Sequence, residues 1–257
     1  MALEFIKLVK GDSPVSQVGS YGFFKLGVES SSGGGFSRVF GENDWQTISN
    51  VSSEIASNNM TAEQVATTYG WNLGDVKSET LSTGEVIELQ IIGFNHDNKS
   101  DGNGKAGMTL QMVNCLTTKY PMNNTQTDIG GWDKSVLRTV TLPTIKATLS
   151  QDLQNVIKQV NKMASRGSNS PSAQISVDDL FLLSEKEALN TVTWARDGAN
   201  EGTQYEYFVK GGTPSRGAQC WSRSNRSSGQ IYFVSYFTSS SRVVANTPTG
   251  VSFAFCV

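Results

Sequence analysis

The sequence predicts an α+β domain, and three features of its hydrophobic pattern lead to that class. In the first two thirds of the chain, stretches with apolar residues at helical spacing are mixed with short apolar strands. From Gln204 onward, aromatic residues recur at short intervals without a helical period, which is typical of strands and loops. No internal repeat is present. We therefore expect a mixed domain that ends in an irregular β region.

The first 40 residues differ from the rest of the chain. Residues 5–9 form a short apolar run, residues 21–28 have the pattern of a strand, and the Ser/Gly-rich stretch 30–35 predicts a flexible join. We expect residues 1–40 to form a small β arm for attachment or oligomerisation, followed by a larger domain over residues 41–257.

Two helices and two strands open the predicted domain. The first helix is indicated by apolar residues at helical spacing, namely Trp45, Ile48, Val51 and Ile55. The second begins at Thr61, because Gln64 three residues later completes a capping box. Gly84 separates two strands, of which the second covers residues 86–94. Residues 97–107 predict a surface loop, and a strand resumes over 108–115.

Further helices are predicted in the middle of the chain. Asp133 is expected to cap a helix that extends through Arg138. The clearest helix is predicted over residues 151–164, with one apolar stripe made of Leu153, Val156, Ile157, Val160 and Met163. Residues 180–183 predict a buried strand, after which Ser184 and Glu187 form a second capping box.

Composition and charge exclude several classes of protein. The formal net charge of −2 argues against a strongly basic nucleic-acid binder. No stretch approaches the roughly 20 apolar residues that a membrane helix needs, so we expect no membrane insertion. The first residues also lack the apolar region of a secretory signal, which predicts synthesis in the cytoplasm without a signal peptide.

Catalytic and metal-binding motifs are weak in this sequence. Residues 97–107 superficially resemble a calcium loop, but Lys99 falls at a ligand position and Met108 at the position that requires an acid. His96 is the single histidine and is more typical of a structural residue than of a ligand. The acidic pairs at 178–179 and 185–187 are explained by helix and strand ends. We expect no metal, no cofactor and no catalytic site.

The three cysteines leave two alternatives open. Cys115, Cys220 and Cys256 form no CxxC pair and no disulfide framework. They are either three buried thiols, or one pair forms a bridge because the fold brings two of them together.

The C-terminal third has the composition of a binding surface. No acidic residue follows Glu206, whereas five basic residues do, and tyrosines alternate with serines. Such residues give binding loops rigid aromatic area and adaptable hydrogen bonds. We expect Phe253 and Phe255 to be core residues, with Ile231, Phe233 and Val243 pointing inward. The predicted ligand-binding residues are Arg226, Gln230, Tyr232, Ser235, Tyr236, Thr238, Ser240, Arg242 and Asn246.

A series of ordered motifs resembles a bacterial and phage domain family of uncharacterised function. The resemblance covers roughly residues 70–257. The motifs are IIGFNHD at 91–97, QMVNCL at 111–116, MN at 122–123 with GGW at 130–132, a helix at 153–161, LFLLSE at 180–185, YEYF at 205–208, W-x-R-S at 221–224 and GVxxxFCV at 250–257. This chain departs from the family pattern at Asn225, where the family has Pro, and at Cys220-Trp221, where it has two tryptophans. Both departures are expected at the binding face.

This family is similar to C-type-lectin-like domains of the formylglycine-generating type. Relatives of that fold include the variable proteins of diversity-generating retroelements, in which randomised Asn codons alter surface loops at the C-terminal end. Such codons cannot encode Lys, Glu, Gln, Met or Trp, and Gln230 is the single residue of these types between Ser222 and Phe255.

The resemblance implies a receptor-binding protein of a phage tail tip, located on the virion or on a bacterial cell surface. Its partners would be a host surface protein or glycan and other tail proteins, and a homo-oligomer such as a trimer is favoured. One alternative is a formylglycine-generating-like enzyme, which needs a reactive cysteine pair that Cys220 and Cys256 would have to supply. Another alternative is a bacterial adhesin or a structural virion protein without a variable surface.

Overall fold

A computed structural model describes residues 35–167, 172–193, 195, 200–226, 232–236 and 240–257, with the backbone alone at 232–236 and 240. Residues 36–257 form one compact unit. The predicted β arm lies outside the described residues, apart from the last few positions of the 1–40 range. Within this unit, no helix of the described ranges is long and apolar enough to cross a membrane.

The predicted α+β class is confirmed, with 28% helix, 28% strand and antiparallel sheets. The central sheet has five strands in the order β1-β2-β3-β10-β6. These are β1 Val76–Thr80, β2 Val86–Phe94, β3 Met108–Met112, β10 Ala254–Cys256 and β6 Leu180–Phe181. Because β10 lies between β3 and β6, the last described strand is an interior strand of the central sheet.

Two smaller antiparallel sheets accompany the central one. The first pairs β4, Val160–Ser165, with β5, Ala173–Asp178. The second has the order β7-β8-β9, with β7 at Cys220–Asn225, β8 at Tyr232–Tyr236 and β9 at Ser240–Val244. This second sheet carries the segment in which the sequence places the binding surface.

The helices of the described ranges have between four and 13 residues. They are α1 Trp45–Ser57, α2 Ala62–Tyr69, α3 Gly131–Lys134, α4 Leu142–Lys146, α5 Gln151–Val156, α6 Glu185–Leu189 and α7 Glu206–Val209. A 3-10 turn at Phe40–Glu42 precedes α1, and a π-helical segment at Leu137–Thr141 precedes α4.

The predicted N-terminal helices and both capping boxes are confirmed. The hydroxyl of Thr61 accepts from the backbone N–H of Gln64, whose side chain accepts from the N–H of Thr61. The same reciprocal bonds join Ser184 and Glu187 at the start of α6. The buried face of α1 carries the four apolar residues of the predicted stripe, and Trp45 packs edge-on against Phe255 of β10. Local signals of this kind are reliable because the bonds are made within one turn.

The predicted helix over residues 151–164 is wrong beyond its first half. Helix α5 ends at Val156, and β4 begins at Val160. In β4 the buried positions alternate at Val160, Lys162 and Ala164, which is the period of a strand. The helical pattern misled because its apolar stripe includes Val160 and Met163, whereas the strand buries Lys162 between them, at 2% exposed.

Three smaller boundaries also differ from the sequence prediction. Asp133 lies inside α3 and does not cap it, because the N-cap is Gly130 in the left-handed conformation. The next residue, Gly131, has to be a glycine, because a Cβ at this position would lie 2.0 Å from the carbonyl oxygen of Ser165. The strand predicted over 108–115 ends at Met112, and that predicted over 180–183 at Phe181.

Candidate functional site

The C-terminal hairpin is the outer part of a sheet whose first strand is buried. All six residues of β7, Cys220–Asn225, are buried. Strand β8 pairs with β7 on one side and with β9 on the other. The register places Tyr232 opposite Val244, Val234 opposite Arg242 and Tyr236 opposite Ser240. By the alternation of strand residues in this register, positions 232, 236, 240 and 242 belong to one face of the hairpin backbone.

The predicted ligand-binding residues fall into three groups. Arg242 and Asn246 are exposed, and Arg226 is half-buried at the end of β7. Tyr232, Ser235, Tyr236 and Ser240 lie in β8 and β9, where the description stops at the backbone. Gln230 and Thr238 lie outside the described residues, as does Ile231. Backbone pairing in β8–β9 thus brings five of the nine predicted positions together.

The predicted exposure of the two family departures is wrong. Cys220, Trp221 and Asn225 were expected at the binding face, but each is 0% exposed. The indole N–H of Trp221 donates to the carbonyl oxygen of Tyr120 at 2.8 Å, which ties β7 to the loop that follows β3. These residues are buried because β7 is covered on both faces, so they belong to the support of the hairpin. Strands covered on both faces do not show an alternating pattern in sequence.

The predicted core residues at the end of the chain are confirmed. Phe253 and Phe255 are 0% exposed, and Val243 of β9 is partly buried against the core. The inward orientation expected of Phe233 concerns a side chain outside the described part of the structure.

A buried ion network lies directly behind β7. The guanidinium of Arg223 donates to both carboxylate oxygens of Glu187, with 2.9 Å between Nη2 and Oε1. Arg223 also donates to the carbonyl oxygens of Met163, Leu182 and Glu201. All of its nitrogens are thus bonded to atoms of the protein interior. This is the arrangement that a buried guanidinium requires.

Lys162 extends the network toward the central sheet. Its ammonium nitrogen is 2.6 Å from Oδ1 of Asp97, 2.8 Å from Oε1 of Glu187 and 3.0 Å from the hydroxyl oxygen of Tyr205. The Tyr205 hydroxyl and the Thr109 hydroxyl also donate to Asp97. Two carboxylates and two cations therefore alternate in a chain from Asp97 to Arg223.

The ion pairs set the charge state of each member of this chain. Burial by itself raises the pKa of Asp97 and of Glu187, but the neighbouring cations outweigh burial and hold both pKa values below normal. Burial lowers the pKa of Lys162, but Asp97 and Glu187 outweigh it, so that pKa is raised. All three groups stay charged at neutral pH. A permanently protonated Lys162 cannot act as a nucleophile.

Besides Asp97 and Glu187, the network has a third buried carboxylate, Glu201, whose pKa is shifted in the opposite direction. It accepts from the Ser224 hydroxyl and, at 3.0 Å, from the backbone N–H of Ser165. Burial raises the pKa of Glu201 more than Arg223 and these hydrogen bonds lower it. Glu201 therefore ionises less readily than Glu187.

His96 closes the network at its more accessible end. Its ring stacks on Tyr205 with 3.9 Å between ring centroids. Burial lowers the pKa of His96, so the ring is neutral at physiological pH. Burial and the nearby carboxylates raise the pKa of Tyr205, which keeps its hydroxyl protonated as a donor.

One group of potential metal ligands coincides with this network. Donor atoms of His96, Asp97 and Glu187 lie within 4.8 Å of one another. The Lys162 ammonium, however, already lies between the two carboxylates at hydrogen-bond distance. A metal ion would have to displace that ammonium, so the charge balance is supplied by a lysine.

The three cysteines form one disulfide and leave one buried thiol. Cys115 and Cys220 form a disulfide, and Cys256 is free and buried. Of the two alternatives for the cysteines, a single bridge is therefore the observed one. Cys220 does not pair with Cys256, which corrects the pairing that the enzyme alternative required. Burial and then Asp97 raise the pKa of the Cys256 thiol, so it stays protonated.

The sequence assigned the network residues to other roles. Lys162 was placed on a helix, Glu187 was explained by helix capping and helix-end charge, and Arg223 was counted among the five basic residues that follow Glu206. The local sequence does not indicate that Arg223 is buried, because its nearest neighbours Ser222, Ser224 and Asn225 are polar. The partners of Arg223 could not have been found, because Glu187, Leu182 and Met163 are 36, 41 and 60 residues away in sequence.

Comparison with known proteins gives no relative for this chain. No family model matches it, no curated protein matches it and no solved structure matches it.

Proposed function

We propose that this chain is a ligand-binding protein whose binding surface is the β8–β9 hairpin with its flanking residues. The observation that carries the proposal is the contrast between two neighbouring strands. Strand β7 is buried at every position, whereas Arg242 of β9 and the following Asn246 are exposed. A segment rich in Tyr, Ser and Arg thus lies on a supported sheet.

The buried network supports this role physically. Arg223 ties β7 to α6 through Glu187, and Trp221 ties it to Tyr120. A binding surface on such a support loses little conformational freedom when it binds, so more of the contact energy appears as affinity. Surface side chains can also vary without changing the buried strand beneath.

The finer proposal is a C-type-lectin-like protein of a phage tail tip, diversified by a retroelement. It rests on the family motifs and on the scarcity of Lys, Glu, Gln, Met and Trp after Ser222. The proposed partner is a host surface protein or glycan. Tyrosine rings would stack on it, and Arg242 would pair with acidic groups.

Binding of the labelled full chain to a panel of bacteria and to a glycan array tests the proposal. We expect Tyr236→Ala combined with Arg242→Ala to abolish binding while the melting temperature stays within about 2 °C. Lys210→Ala removes an exposed cation elsewhere and should bind like the unmodified chain. Undiminished binding by the double variant would overturn the proposal. A changed sedimentation coefficient with unchanged binding would instead support subunit contacts.

A further inference from the structure

A small cavity lies between α1, the loop over residues 97–107 and the segment that joins α5 to β4. Its volume is about 240 Å³. Three lysines line it, namely Lys99 and Lys105 from the loop and Lys158 from the joining segment. No residue of the proposed binding surface contributes to this cavity, so it is a separate feature.

The charged side chains that line this cavity are all basic. Besides the three lysines, its lining consists of Ser, Ala, Gly, Asn and Val residues, without a carboxylate among the described side chains. Within the described ranges, none of the three lysines takes part in an ion pair. Two acids lie two positions from Lys99: Asp97 is buried and bonded to Lys162, and Asp101 is exposed and accepts from the backbone N–H of Asn103. Three like charges around one small space repel one another unless an anion joins them.

The backbone of this region is held in place. The N–H of Lys99 donates to Gly104, and that of Lys158 donates to Cys256 of the central sheet at 2.8 Å. The backbone of Lys105 pairs with that of Asn98 in an isolated antiparallel β-bridge. The loop also touches α1 closely, because a Cβ on Gly107 would lie 1.8 Å from the carbonyl oxygen of Ser52. The lysine side chains therefore start from fixed positions.

The lysines are the groups available to an anion. The hydroxyls of Ser53 and Ser57 line the cavity but donate to carbonyl oxygens of α1, at 2.9 Å and 3.1 Å. Ser52 donates to the carbonyl oxygen of Val257. Binding would therefore depend on ammonium groups, which bind phosphate oxygens as point charges.

We propose that this cavity binds a phosphate or sulfate group carried by a small ligand. Lys99 lies at a ligand position of the calcium-like pattern over residues 97–107, where its charge disfavours calcium. The same charge favours an anion. The competing explanation is that the lysines only complement the C-terminal end of α1, where helix dipoles favour cations. The two explanations differ in whether an anion binds.

Calorimetric titration of the full chain with inorganic phosphate, and separately with inorganic sulfate, tests this at constant ionic strength. We expect saturable one-to-one binding, weakened about tenfold by Lys105→Gln and by Lys158→Gln, because each removes one charged contact. The triple variant with Lys99→Gln should not bind. Lys119→Gln removes an exposed lysine outside the cavity and is the matched control. Comparing the two anions shows which ester the ligand would carry.

Chemical acetylation provides a readout that does not need a variant. Phosphate or sulfate should protect Lys105 and Lys158 from acetylation, measured by mass spectrometry, and leave Lys119 unprotected. Absence of saturable binding up to tens of millimolar of either anion would overturn the proposal. So would binding that the triple variant retains, because the site would then lie elsewhere.

Discussion

Arg223 and Glu187 form a bidentate ion pair in which both residues are buried. The pair joins the middle of β7 to the first turn of α6. Lys162 and Asp97 continue the contact to the central sheet. A single chain of charges therefore connects the sheet that supports the hairpin with the centre of the fold.

Removing the charge of Arg223 should destabilise the protein strongly. Arg223→Met leaves Glu187 buried with Lys162 as its one remaining cation, so we expect a loss of about 3–5 kcal/mol in the free energy of unfolding. Urea denaturation followed by tryptophan fluorescence measures it. Arg242→Lys changes an exposed arginine and should change stability by less than about 1 kcal/mol. Equal stability of both variants would contradict a structural role for the pair.

The network should make stability depend on acid pH. Asp97 and Glu187 have pKa values below normal in the folded protein, because cations outweigh burial. Groups of this kind stabilise the fold above their unfolded pKa values, near about 4, and this stability is lost as the pH falls toward the folded values. Glu201, whose pKa is raised by burial, acts in the opposite direction. We expect the net free energy of unfolding to fall between about pH 5 and pH 2.

Asp97→Asn is the variant that checks this pH dependence. It should be less stable at pH 7, yet its stability should change less between pH 5 and pH 2, because one of the two depressed carboxyls is absent. Urea denaturation at a series of pH values gives both curves. Parallel curves would show that Asp97 does not contribute to the acid transition.

The disulfide should stabilise the fold through its long loop. Cys115 and Cys220 are separated by 105 positions, and closing a loop of that size contributes up to about 4.7 kcal/mol in the chain-entropy model. A reducing agent should lower the melting temperature of the unmodified chain. The Cys115→Ser, Cys220→Ser double variant should melt lower and show no response to the reductant. An unchanged melting temperature on reduction would contradict the prediction.

Gly107 should tolerate no side chain. A Cβ at this position would lie 1.8 Å from the backbone carbonyl oxygen of Ser52, which cannot rotate away as a side chain could. We expect Gly107→Ala to lose about 2 kcal/mol or more, as overpacking does. Gly35→Ala is the control, since nothing lies within 4 Å of its added Cβ. Thermal melts of the two variants should therefore differ clearly.

Local structure was largely readable from the sequence. The capping boxes at Thr61 and Ser184, the apolar face of α1 and the strand Val86–Phe94 were all predicted and are observed. Such features depend on residues within a few positions of one another, so the pattern contains all of the relevant information.

The position of the charges was decided by the tertiary structure. Lys162 and Arg223 have the composition of surface residues, yet both are buried because carboxylates from distant segments compensate them. Because carboxylates compensate its charge, Lys162 can occupy the inner face of β4, where the sequence pattern predicted the second half of a helix. Sequence determined the local elements and the acid-free, tyrosine-rich ending. Only the folded chain decided which strand supports the proposed binding surface and which strand would present it, because burial depends on neighbours that sequence spacing does not reveal.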